Sequence, residues 1–418
     1  MNSRLLIISN AALSSTDSNG RNLSRLVDCI DIEQKAQFFV YGIPDFNECN
    51  KFYQVSDSDA LYSFLKRGKK DGRVRNIDRQ ASDYTKKRRG KTPFRMFLRE
   101  VVWKCGRWNN IYLKKWIEEI NPVCVLVVAG DNRFTLDLAR KIAKKRELPI
   151  ILYSTEEYPF KNYNYITKKF SLFYLIWRKL LRSSYKKISK HVKAGIFNTE
   201  ALMKLYEREY GYKCYSVYQA SNISWNENFK LKENIKVSYL GNLGLNRHKA
   251  LISFAETLDK VCSGVKLDIY GNPDEIVREE LKNCPYVCLK GFIPYEEVVE
   301  VIHKSTLLIH AEYRDTFYTR DLKYAFSTKI TDSVCSGTPF LIYAPDELAE
   351  TNFLRKNDCA FVASNNEELF EQLKVALTDE NLRKMKLSHA KRVKEEYFTN
   401  RGLFKEIVEE VLHENSSS

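Results

Sequence analysis

A short polar segment before a predicted helix, residues 326–332, combines a cation with a carboxylate in a pattern suited to binding a nucleotide. Ser327 is expected at the N-cap position, because serine side chains accept hydrogen bonds from the first free N–H groups of a helix. Thr328 and Lys329 then fall in the first turn, where the helix dipole disfavours a cation. A bound anion would remove that conflict. We therefore expect Lys329 to hold a phosphate and Asp332, one turn later, to bind ribose hydroxyls.

A glycine-containing turn joins a predicted strand, residues 236–240, to the helix that follows it. Glycines at such a turn let backbone N–H groups approach a phosphate, and the helix N-terminus adds a favourable dipole. Arg247 and Lys249, at the start of the helix, can add charge-assisted hydrogen bonds to a diphosphate. The same G-x-x-G pattern is also typical of a tight turn with only a structural role. The turn has the sequence Gly241-Asn242-Leu243-Gly244.

Carboxylates follow two other predicted strands. Glu312 comes after the apolar strand 307–311, and Glu156 and Glu157 come after the strand 150–154. Side chains at the carboxyl ends of parallel strands border the ligand site of an open α/β sheet. These acids are candidates for orienting a substrate or stabilising charge, although acids in solvated loops give the same pattern. A further strand leads into Lys290-Gly291-Phe292-Ile293-Pro294-Tyr295 and then a helix.

Short apolar strands alternate with amphipathic helices along most of the chain, and these elements must position the groups named above. Such alternation is typical of a parallel α/β sheet. The length of 418 residues suits two domains, and a polar stretch, residues 221–234, interrupts the rhythm before it restarts. We predict an α/β fold with two Rossmann-like doubly wound domains facing a central cleft, the first over residues 1–222 and the second over 235–398.

The motifs of the second domain resemble the nucleotide-sugar half of GT-B glycosyltransferases. The resemblance is closest to the group 1, family 4-like enzymes of bacterial capsule and polysaccharide assembly. It covers most of residues 236–343, and the rest of the chain matches only through its strand–helix rhythm. The most specific part is S-T-K-I-x-D followed by S-G-T-P. In chain order the motifs are G-N-L-G…R, G-F-I-P, H-A-E, S-T-K-I-x-D and S-G-T-P.

The resemblance implies a role for each matching residue. Glu312 would bind hydroxyl groups of the donor sugar, and Asp332 would bind ribose, where the family usually has the second glutamate of a pair. The shorter acid and the longer 312–332 spacing depart from the family's pattern. The diphosphate would contact Arg247 and Lys329, and the nucleotide base would contact the backbone around Phe292 and Ile293.

The first domain supplies matching pieces. The polar loop 14–21 lies where the family uses a glycine-containing loop against the donor sugar and phosphate. Glu156 or Glu157, where the family often has a histidine, would orient the acceptor or stabilise charge, and Glu312 is the third catalytic candidate. The resemblance also implies that a C-terminal helix, within 399–418, crosses back to the first domain. The predicted donor-binding residues are Asn19, Gly20, Arg21, Gly241, Asn242, Gly244, Arg247, Lys249, Phe292, Ile293, Glu312, Ser327, Thr328, Lys329 and Asp332.

Basic residues are concentrated in two segments of the first domain. The whole chain holds 68 Lys and Arg against 53 Asp and Glu, a net charge of +15. Residues 66–107 hold 16 Lys and Arg with 4 Asp and Glu, and residues 161–193 hold 10 with no acid. Apolar residues at helical spacing in the second segment predict a helix on an anionic bilayer, unless that stripe packs into the core. The predicted membrane- or acceptor-facing residues are Lys168, Lys169, Phe173, Trp177, Arg178 and Lys179.

Several kinds of site and location are not expected. No apolar run reaches the roughly 20 residues of a membrane span, and the apolar start is too short for a signal peptide. The 10 cysteines lack a zinc-ligand pattern, and no D-x-D metal motif follows a suitable strand. Nucleic-acid-binding motifs are also absent from the sequence. We expect a cytoplasmic protein, peripheral on the inner face of the cell membrane, with no metal or other cofactor and no nucleic-acid partner.

These observations predict a glycosyltransferase, specifically a hexosyltransferase. It would move a sugar from a nucleotide-diphosphate sugar, with a UDP-sugar favoured, to a lipid-linked glycan or an oligosaccharide in cell-surface polysaccharide biosynthesis. The resemblance implies a retaining reaction, in which Arg247 and Lys329 stabilise the leaving diphosphate without a metal. Two alternatives stay open: a nucleotide-sugar epimerase on the same scaffold, and a non-catalytic basic protein that binds membranes or nucleic acid.

Overall fold

The chain divides into two compact units in the computed structural model. Residues 1–217 together with 401–418 form the first unit, and residues 218–400 form the second. The structure describes residues 4–15, 18–65, 73–75, 90–227, 229, 234–399 and 402–416. Half of the first basic segment, residues 66–72 and 76–89, therefore lies outside the described residues. Thr16 and Asp17 of the predicted donor loop and residues 228 and 230–233 of the polar stretch also lie outside them.

A twisted sheet of eight described strands forms the centre of the first unit, in the order β4-β3-β2-β1-β5-β6-β7-β8. All neighbouring strands in it are parallel except β3 and β4. The strand order reverses between β1 and β5, which creates a topological switch point. The strands are β1 (Arg4–Ile8), β2 (Lys35–Phe39), β3 (Phe52–Gln54), β4 (Arg73–Arg75), β5 (Pro122–Val128), β6 (Ile150–Ser154), β7 (Val192–Phe197) and β8 (Lys213–Ser216).

Helices connect these strands, and several begin at side-chain caps that the sequence supplies. Asn110 accepts hydrogen bonds from two backbone N–H groups at the start of α4, and Ser171 accepts one at the start of α6. The helices are α1 (Ser18–Leu26), α2 (Asp57–Leu65), α3 (Pro93–Cys105), α4 (Ile111–Ile120), α5 (Arg133–Arg146), α6 (Leu172–Ser189) and α7 (Glu200–Tyr210).

The second unit contains a six-stranded sheet, all of it parallel, in the order β11-β10-β9-β12-β13-β14. Its strand order reverses between β9 and β12, so the carboxyl ends of these two strands mark the expected ligand edge. The strands are β9 (Val237–Leu240), β10 (Leu267–Tyr270), β11 (Val287–Gly291), β12 (Leu307–Ala311), β13 (Phe340–Tyr343) and β14 (Phe361–Ala363).

Helices cover both faces of the second sheet, and each face has its own apolar core. The alternation of β12 shows the division: Leu307 and Ile309 pack on one face, and Leu308 packs on the other. The predicted α/β fold with two doubly wound domains is confirmed by the two sheets and their helices. The helices are α8 (Arg247–Val261), α9 (Glu275–Lys282), α10 (Tyr295–Lys304), α11 (Thr316–Leu322), α12 (Thr328–Val334), α13 (Ala349–Asn357), α14 (Asn366–Thr378), α15 (Glu380–Val393) and α16 (Leu403–Ser416).

The last helix, α16, belongs to the first unit although it follows the second along the chain. Phe404, Ile407 and Val411 are at most 3% exposed and lie in the same core as residues of β1 and β5. Polar contacts add to this packing, because Glu410 pairs with Lys213 and accepts a 2.6 Å hydrogen bond from the Tyr215 hydroxyl. The helix therefore completes the core of the first sheet.

The substitution Phe404→Ala tests how much α16 contributes to the first unit. Because the ring is 1% exposed, its loss should lower the free energy of unfolding by about 3–5 kcal/mol. Urea denaturation followed by circular dichroism measures this. As a control, Phe170→Ala removes a ring that is 84% exposed and should change stability by less than about 0.5 kcal/mol. Equal effects of the two substitutions would contradict the packing of α16.

Candidate active site

Charged residues gather at the carboxyl ends of β9 and β12, where the strand order of the second sheet reverses. Arg247 is the first residue of α8, which follows β9, and Glu312 comes directly after β12. Lys329 lies in the first turn of α12. The structure thus brings together three residues that are 82 positions apart at the extremes, at the edge where doubly wound sheets bind ligands.

A buried ion pair joins Arg247 and Glu312. The guanidinium donates from Nε at 2.9 Å and from Nη2 at 2.6 Å, and both hydrogen bonds end on Oε1 of Glu312. Burial alone would raise the pKa of Glu312, but the hydrogen bond from His310 and the charges of His310 and Arg247 outweigh it and hold this pKa below its ordinary value. The second oxygen, Oε2, is buried and has no hydrogen-bond partner among the described residues.

Two further side chains extend this ion pair. The sequence placed His310 in the H-A-E motif but indicated no role for it, and it did not single out Glu350. His310 Nε2 lies 3.1 Å from Glu312 Oε1 and 3.5 Å from Glu350 Oε1. Burial lowers the pKa of His310, whereas the hydrogen bonds to Glu312 and Glu350 raise it, and the net shift is upward. A protonated imidazole between two carboxylates fits this arrangement.

The same three side chains have the spacing of a metal site. One ligand atom each from His310, Glu312 and Glu350 lies within 4.8 Å of the other two. However, Arg247 donates two hydrogen bonds to the Glu312 oxygen that faces His310. The guanidinium of Arg247 therefore already compensates the charge of that oxygen. The cluster suits a protonated His310 shared by two carboxylates better than it suits a divalent ion.

Lys329 provides a second cation beside Arg247. Its side chain is partly buried, and no hydrogen bond or ion pair to its ammonium is found in the described part of the chain. Burial lowers its pKa, and the nearby positive charge of Arg247 lowers it further. The aliphatic stem runs across Gly241, where an added Cβ would lie 2.6 Å from Cε of Lys329. The glycine therefore leaves the space through which Lys329 reaches the site.

The other predicted residues of α12 have partners within the second unit. Ser327 occupies the N-cap position, but its side chain makes no capping hydrogen bond. Its backbone N–H donates instead to Glu350 Oε2 at 3.2 Å. Asp332 Oδ1 accepts a 2.5 Å hydrogen bond from the Ser221 hydroxyl, so binding a ribose at Asp332 would require that bond to be shared or exchanged. The expected side-chain cap at Ser327 is thus wrong: the residue contributes to the start of α12 through its backbone N–H and not through its hydroxyl.

The glycine turn is well ordered by its own polar groups. Asn242 Oδ1 accepts a 2.7 Å hydrogen bond from the Gly244 N–H, and the Asn242 carbonyl accepts one of 2.7 Å from the Tyr239 hydroxyl. Lys249 is exposed, with its ammonium 5.7 Å from the centre of the Tyr313 ring. The turn thus has a structural role of its own. Of the two cations at the start of α8, Arg247 contacts the buried Glu312, whereas Lys249 is exposed.

The predicted base-contacting segment follows β11. Gly291 has a positive φ of 84°, and its carbonyl accepts a 2.9 Å hydrogen bond from the N–H of Gly271. Phe292 is 78% exposed, and Ile293 is partly exposed. In the sheet, β11 is separated from β9 by β10 alone, so this segment lies at the same edge as Arg247, roughly 10 Å along it.

The predicted donor loop of the first unit is partly helical. Asn19, Gly20 and Arg21 lie in the first turn of α1, which begins at Ser18, rather than in a loop. An added Cβ at Gly20 would lie 2.4 Å from the carbonyl oxygen of Ala12. The glycine is therefore explained by the close packing of α1 on the segment after β1.

The predicted acceptor acids form a cluster around a buried lysine. Glu156 and Glu157 follow β6, and Lys161 Nζ lies 3.4 Å from a carboxylate oxygen of each. Glu157 and Lys161 are 5% and 3% exposed. The alternative of two solvated loop acids is therefore wrong for Glu157, because its carboxylate is buried and paired.

The aromatic and basic segment forms α6 and the residues before it. Trp177 is 1% exposed and contributes to the core, so it is not available to a membrane, which corrects that prediction. The predicted stripe splits because the first two turns of α6 carry apolar residues on both faces. Phe173 is 41% exposed, Arg178 is partly buried, and Lys168, Lys169 and Lys179 are exposed.

Exposed apolar residues on α3 and α6, together with Phe170, are here called the α3–α6 surface. Phe173 joins the two helices, since its ring centre lies 5.0 Å from that of Phe94 and 5.6 Å from that of Phe97. Among the described helices, none has the length and apolarity needed to span a membrane. The exposed members of the α3–α6 surface are Phe94, Leu98, Phe170, Leu172, Phe173 and Ile176.

The substitution Arg247→Met tests whether Glu312 depends on its ion pair. Removing one partner of a buried pair leaves an uncompensated charge, so the free energy of unfolding of the second unit should fall by about 3–5 kcal/mol. Hydrogen exchange of the β9 and β12 amides reports this locally. The control is Arg314→Met, which breaks an exposed pair with Glu347 and should cost about 0–1 kcal/mol. Similar losses of stability in both variants would contradict a larger contribution from the buried Arg247–Glu312 pair than from the exposed pair.

Comparisons with known proteins agree with this fold. Residues 247–408 match the family described as glycosyl transferase-like, and this range contains Arg247, Glu312 and Lys329. No curated protein sequence matches the chain.

Solved structures match nearly the whole chain at low sequence identity. Sucrose-phosphate synthase from Thermosynechococcus elongatus is 11% identical with a TM-score of 0.61, over 99% of this chain and 100% of that one. A glycosyltransferase from Rickettsia africae is 11% identical with a TM-score of 0.63, over 98% of both chains. Anabaena HepE in complex with UDP-glucose is 10% identical with a TM-score of 0.59, over 99% and 100%. The chain thus has the GT-B fold, as the sequence motifs predicted, and its residues 247–408 resemble a glycosyl transferase-like family.

Proposed function

We propose that the chain transfers a sugar from a nucleotide-diphosphate sugar, with a UDP-sugar favoured, to a lipid-linked or oligosaccharide acceptor in cell-surface polysaccharide biosynthesis. The observation that carries the donor part is the pair of cations at the edge of the second sheet. The ammonium of the partly buried Lys329 has no hydrogen bond or ion pair among the described residues. Burial and the charge of Arg247 lower its pKa more than the nearby acids raise it. A diphosphate bound between them relieves their repulsion and compensates the burial of Lys329.

The sugar of the donor would bind on the other side of the ion pair. Oε1 of Glu312 is already occupied by Arg247 and His310, whereas Oε2 has no partner among the described residues. A buried carboxylate oxygen without a hydrogen bond is costly, and a sugar hydroxyl is a suitable donor for it. Asp332 would bind the ribose, and the segment at Phe292 and Ile293 would contact the base.

Catalysis would rest on stabilising the leaving diphosphate. The bond between the anomeric carbon and the β-phosphate oxygen breaks while the acceptor oxygen bonds to the same carbon. Arg247 and Lys329 stabilise the charge that develops on the phosphate, so the proposed reaction uses no metal or other cofactor. The departing phosphate oxygen takes the acceptor proton on the same face, which gives retention of configuration. Glu156 and Glu157, held by Lys161, are proposed to orient the acceptor.

A UDP-sugar is preferred because Anabaena HepE, which shares the fold, was solved in complex with UDP-glucose. The proposal predicts that Lys329→Met weakens UDP binding by about 10- to 100-fold, since a charge-assisted contact to phosphate is lost. Isothermal titration calorimetry with UDP measures the affinity. The matched control is Lys282→Met, because Lys282 is exposed at the end of α9 and should not affect UDP.

Two outcomes would contradict the proposed donor chemistry. Unchanged UDP affinity in Lys329→Met would remove the diphosphate from this site. Conversion of a free UDP-sugar into its epimer, without any acceptor, would select the epimerase alternative instead. Turnover is measured with UDP- and GDP-sugars and a lipid-linked acceptor, with product stereochemistry assigned by NMR.

The acceptor and location follow from the α3–α6 surface. Phe170 is 84% exposed and Leu172 is 61% exposed, beside the exposed Lys168 and Lys169. Apolar side chains flanked by cations suit the boundary of an anionic bilayer. We propose that this surface lies on the inner face of the cell membrane, where a lipid-linked acceptor is carried, and that the protein is otherwise cytoplasmic.

The double substitution Lys168→Ala with Lys169→Ala should weaken binding to anionic vesicles by about tenfold or more, because each cation near the surface contributes up to about 1 kcal/mol. Flotation with phosphatidylglycerol and phosphatidylcholine vesicles measures this. The matched control is Lys144→Ala with Lys145→Ala, which removes two exposed cations from the end of α5. Equal weakening in both pairs would indicate only a general charge effect and would refute a docking role for the α3–α6 surface.

A further inference from the structure

The position of Glu312 depends on residues that lie behind it in the second unit. His310 and Glu312 are two positions apart at the end of β12, so their side chains leave the sheet on the same face as Leu308. That face packs against α12 and α13 in the apolar core that contains Leu308. His310 is 2% exposed and Glu350, in α13, is 3% exposed. Two ionisable side chains are therefore buried directly beneath the candidate site.

The hydrogen bonds of this layer differ between the two oxygens of Glu312. Oε1 receives Arg247 from one side and His310 Nε2, at 3.1 Å, from the other. Oε2 has no partner in the described part of the chain. Two fixed donors on one oxygen restrict the rotation of the carboxylate. The free oxygen is consequently presented in one orientation.

Glu350 links this layer to the helix that carries Lys329. One of its oxygens, Oε1, lies 3.5 Å from His310 Nε2. The other, Oε2, accepts a 3.2 Å hydrogen bond from the Ser327 N–H at the start of α12. Glu350 thereby satisfies the backbone N–H of the N-cap residue, one of the N–H groups that have no partner within the helix. Both oxygens of Glu350 are thus used within the protein.

We propose that His310 and Glu350 are positioning residues of the donor site. Together they fix the orientation of Glu312 and the first turn of α12, so that the free oxygen of Glu312 and the ammonium of Lys329 meet the sugar and the diphosphate of one donor molecule. This inference rests on the proposed function. It adds that the sugar contact depends on a hydrogen-bonded layer that does not itself touch the substrate.

The charge of His310 gives the layer a pH dependence. The groups facing it are the carboxylates of Glu312 and Glu350, with the cations Arg247 and Lys329 beyond them and the Tyr239 hydroxyl of β9 nearby. Because the pKa of His310 is raised, the imidazolium persists to higher pH than in free histidine. As pH rises through that pKa, the bridge between two carboxylates is lost. Sugar binding should therefore weaken on the alkaline side.

The test compares UDP with UDP-glucose, UDP-galactose and UDP-N-acetylglucosamine by calorimetry from pH 6 to 9. The ratio of the UDP affinity to that of the tightest UDP-sugar isolates the sugar contact, since titration of Lys329 affects both ligands. In His310→Gln this advantage of the sugar should fall by about fivefold or more, with UDP affinity within about twofold of wild type. The pH dependence of the ratio should disappear, because glutamine does not titrate.

Glu350 is tested by two substitutions that differ in what they preserve. Glu350→Gln keeps an acceptor for the Ser327 N–H but lacks the charge that stabilises the imidazolium, so the alkaline loss of the sugar advantage should move to lower pH. Glu350→Ala also frees the start of α12 and should weaken UDP itself. The control is His389→Gln, because His389 also faces a carboxylate, Asp358, at 3.2 Å, but lies on α15. Thermal midpoints are measured for every variant.

The outcomes separate this inference from the proposed function. A wild-type chain that binds neither UDP nor any UDP-sugar would refute the donor site itself. Binding of UDP with no gain from any of the three sugars would refute sugar recognition by Glu312, and the positioning role with it. A normal, pH-dependent sugar advantage in folded His310→Gln would refute the positioning role alone.

Discussion

The buried ion pair between Arg247 and Glu312 is the interaction on which the candidate site depends. Both groups are removed from water at the end of a parallel sheet, where desolvation is costly unless each charge is fully compensated. Only Oε1 of Glu312 accepts hydrogen bonds from the described residues, so Oε2 is left as an acceptor for another group. The same pair brings a guanidinium next to Lys329. One contact therefore places the acid proposed to bind sugar hydroxyls beside the cations proposed to bind phosphate.

Backbone geometry supports this arrangement at Gly241. Gly241 directly follows β9, and its N–H donates a hydrogen bond to the carbonyl of Tyr270 in the neighbouring strand β10. Because Gly241 lacks a side chain, the stem of Lys329 can cross above it from α12, which is distant in sequence. A side chain at this turn would make the stem of Lys329 shift, so the glycine helps to set the path of that side chain.

The sequence predicts the strands and the charged ends of the second sheet well, because an apolar run bounded by polar residues has few other interpretations. The predicted strand 150–154 coincides with β6, and Glu312 and Lys329 lie at one edge as expected. The role of Glu350 cannot be predicted from the sequence, since nothing local to α13 indicates that this acid in its first turn faces His310 of β12 rather than solvent. Trp177 was misassigned because helical spacing cannot tell which of two apolar faces is covered. Long-range packing decides such cases.

The return of α16 to the first sheet has a consequence for synthesis on the ribosome. Residues 1–217 emerge first. The helix α16, which packs into the core of the first unit through Phe404, Ile407 and Val411, emerges only after the entire second unit. Until then the nascent first unit exposes the apolar groove that α16 will fill. The second unit, whose sheet is continuous in sequence, has all of its strands available earlier than the first unit has its last helix. The order of completion is thus the reverse of the order of translation.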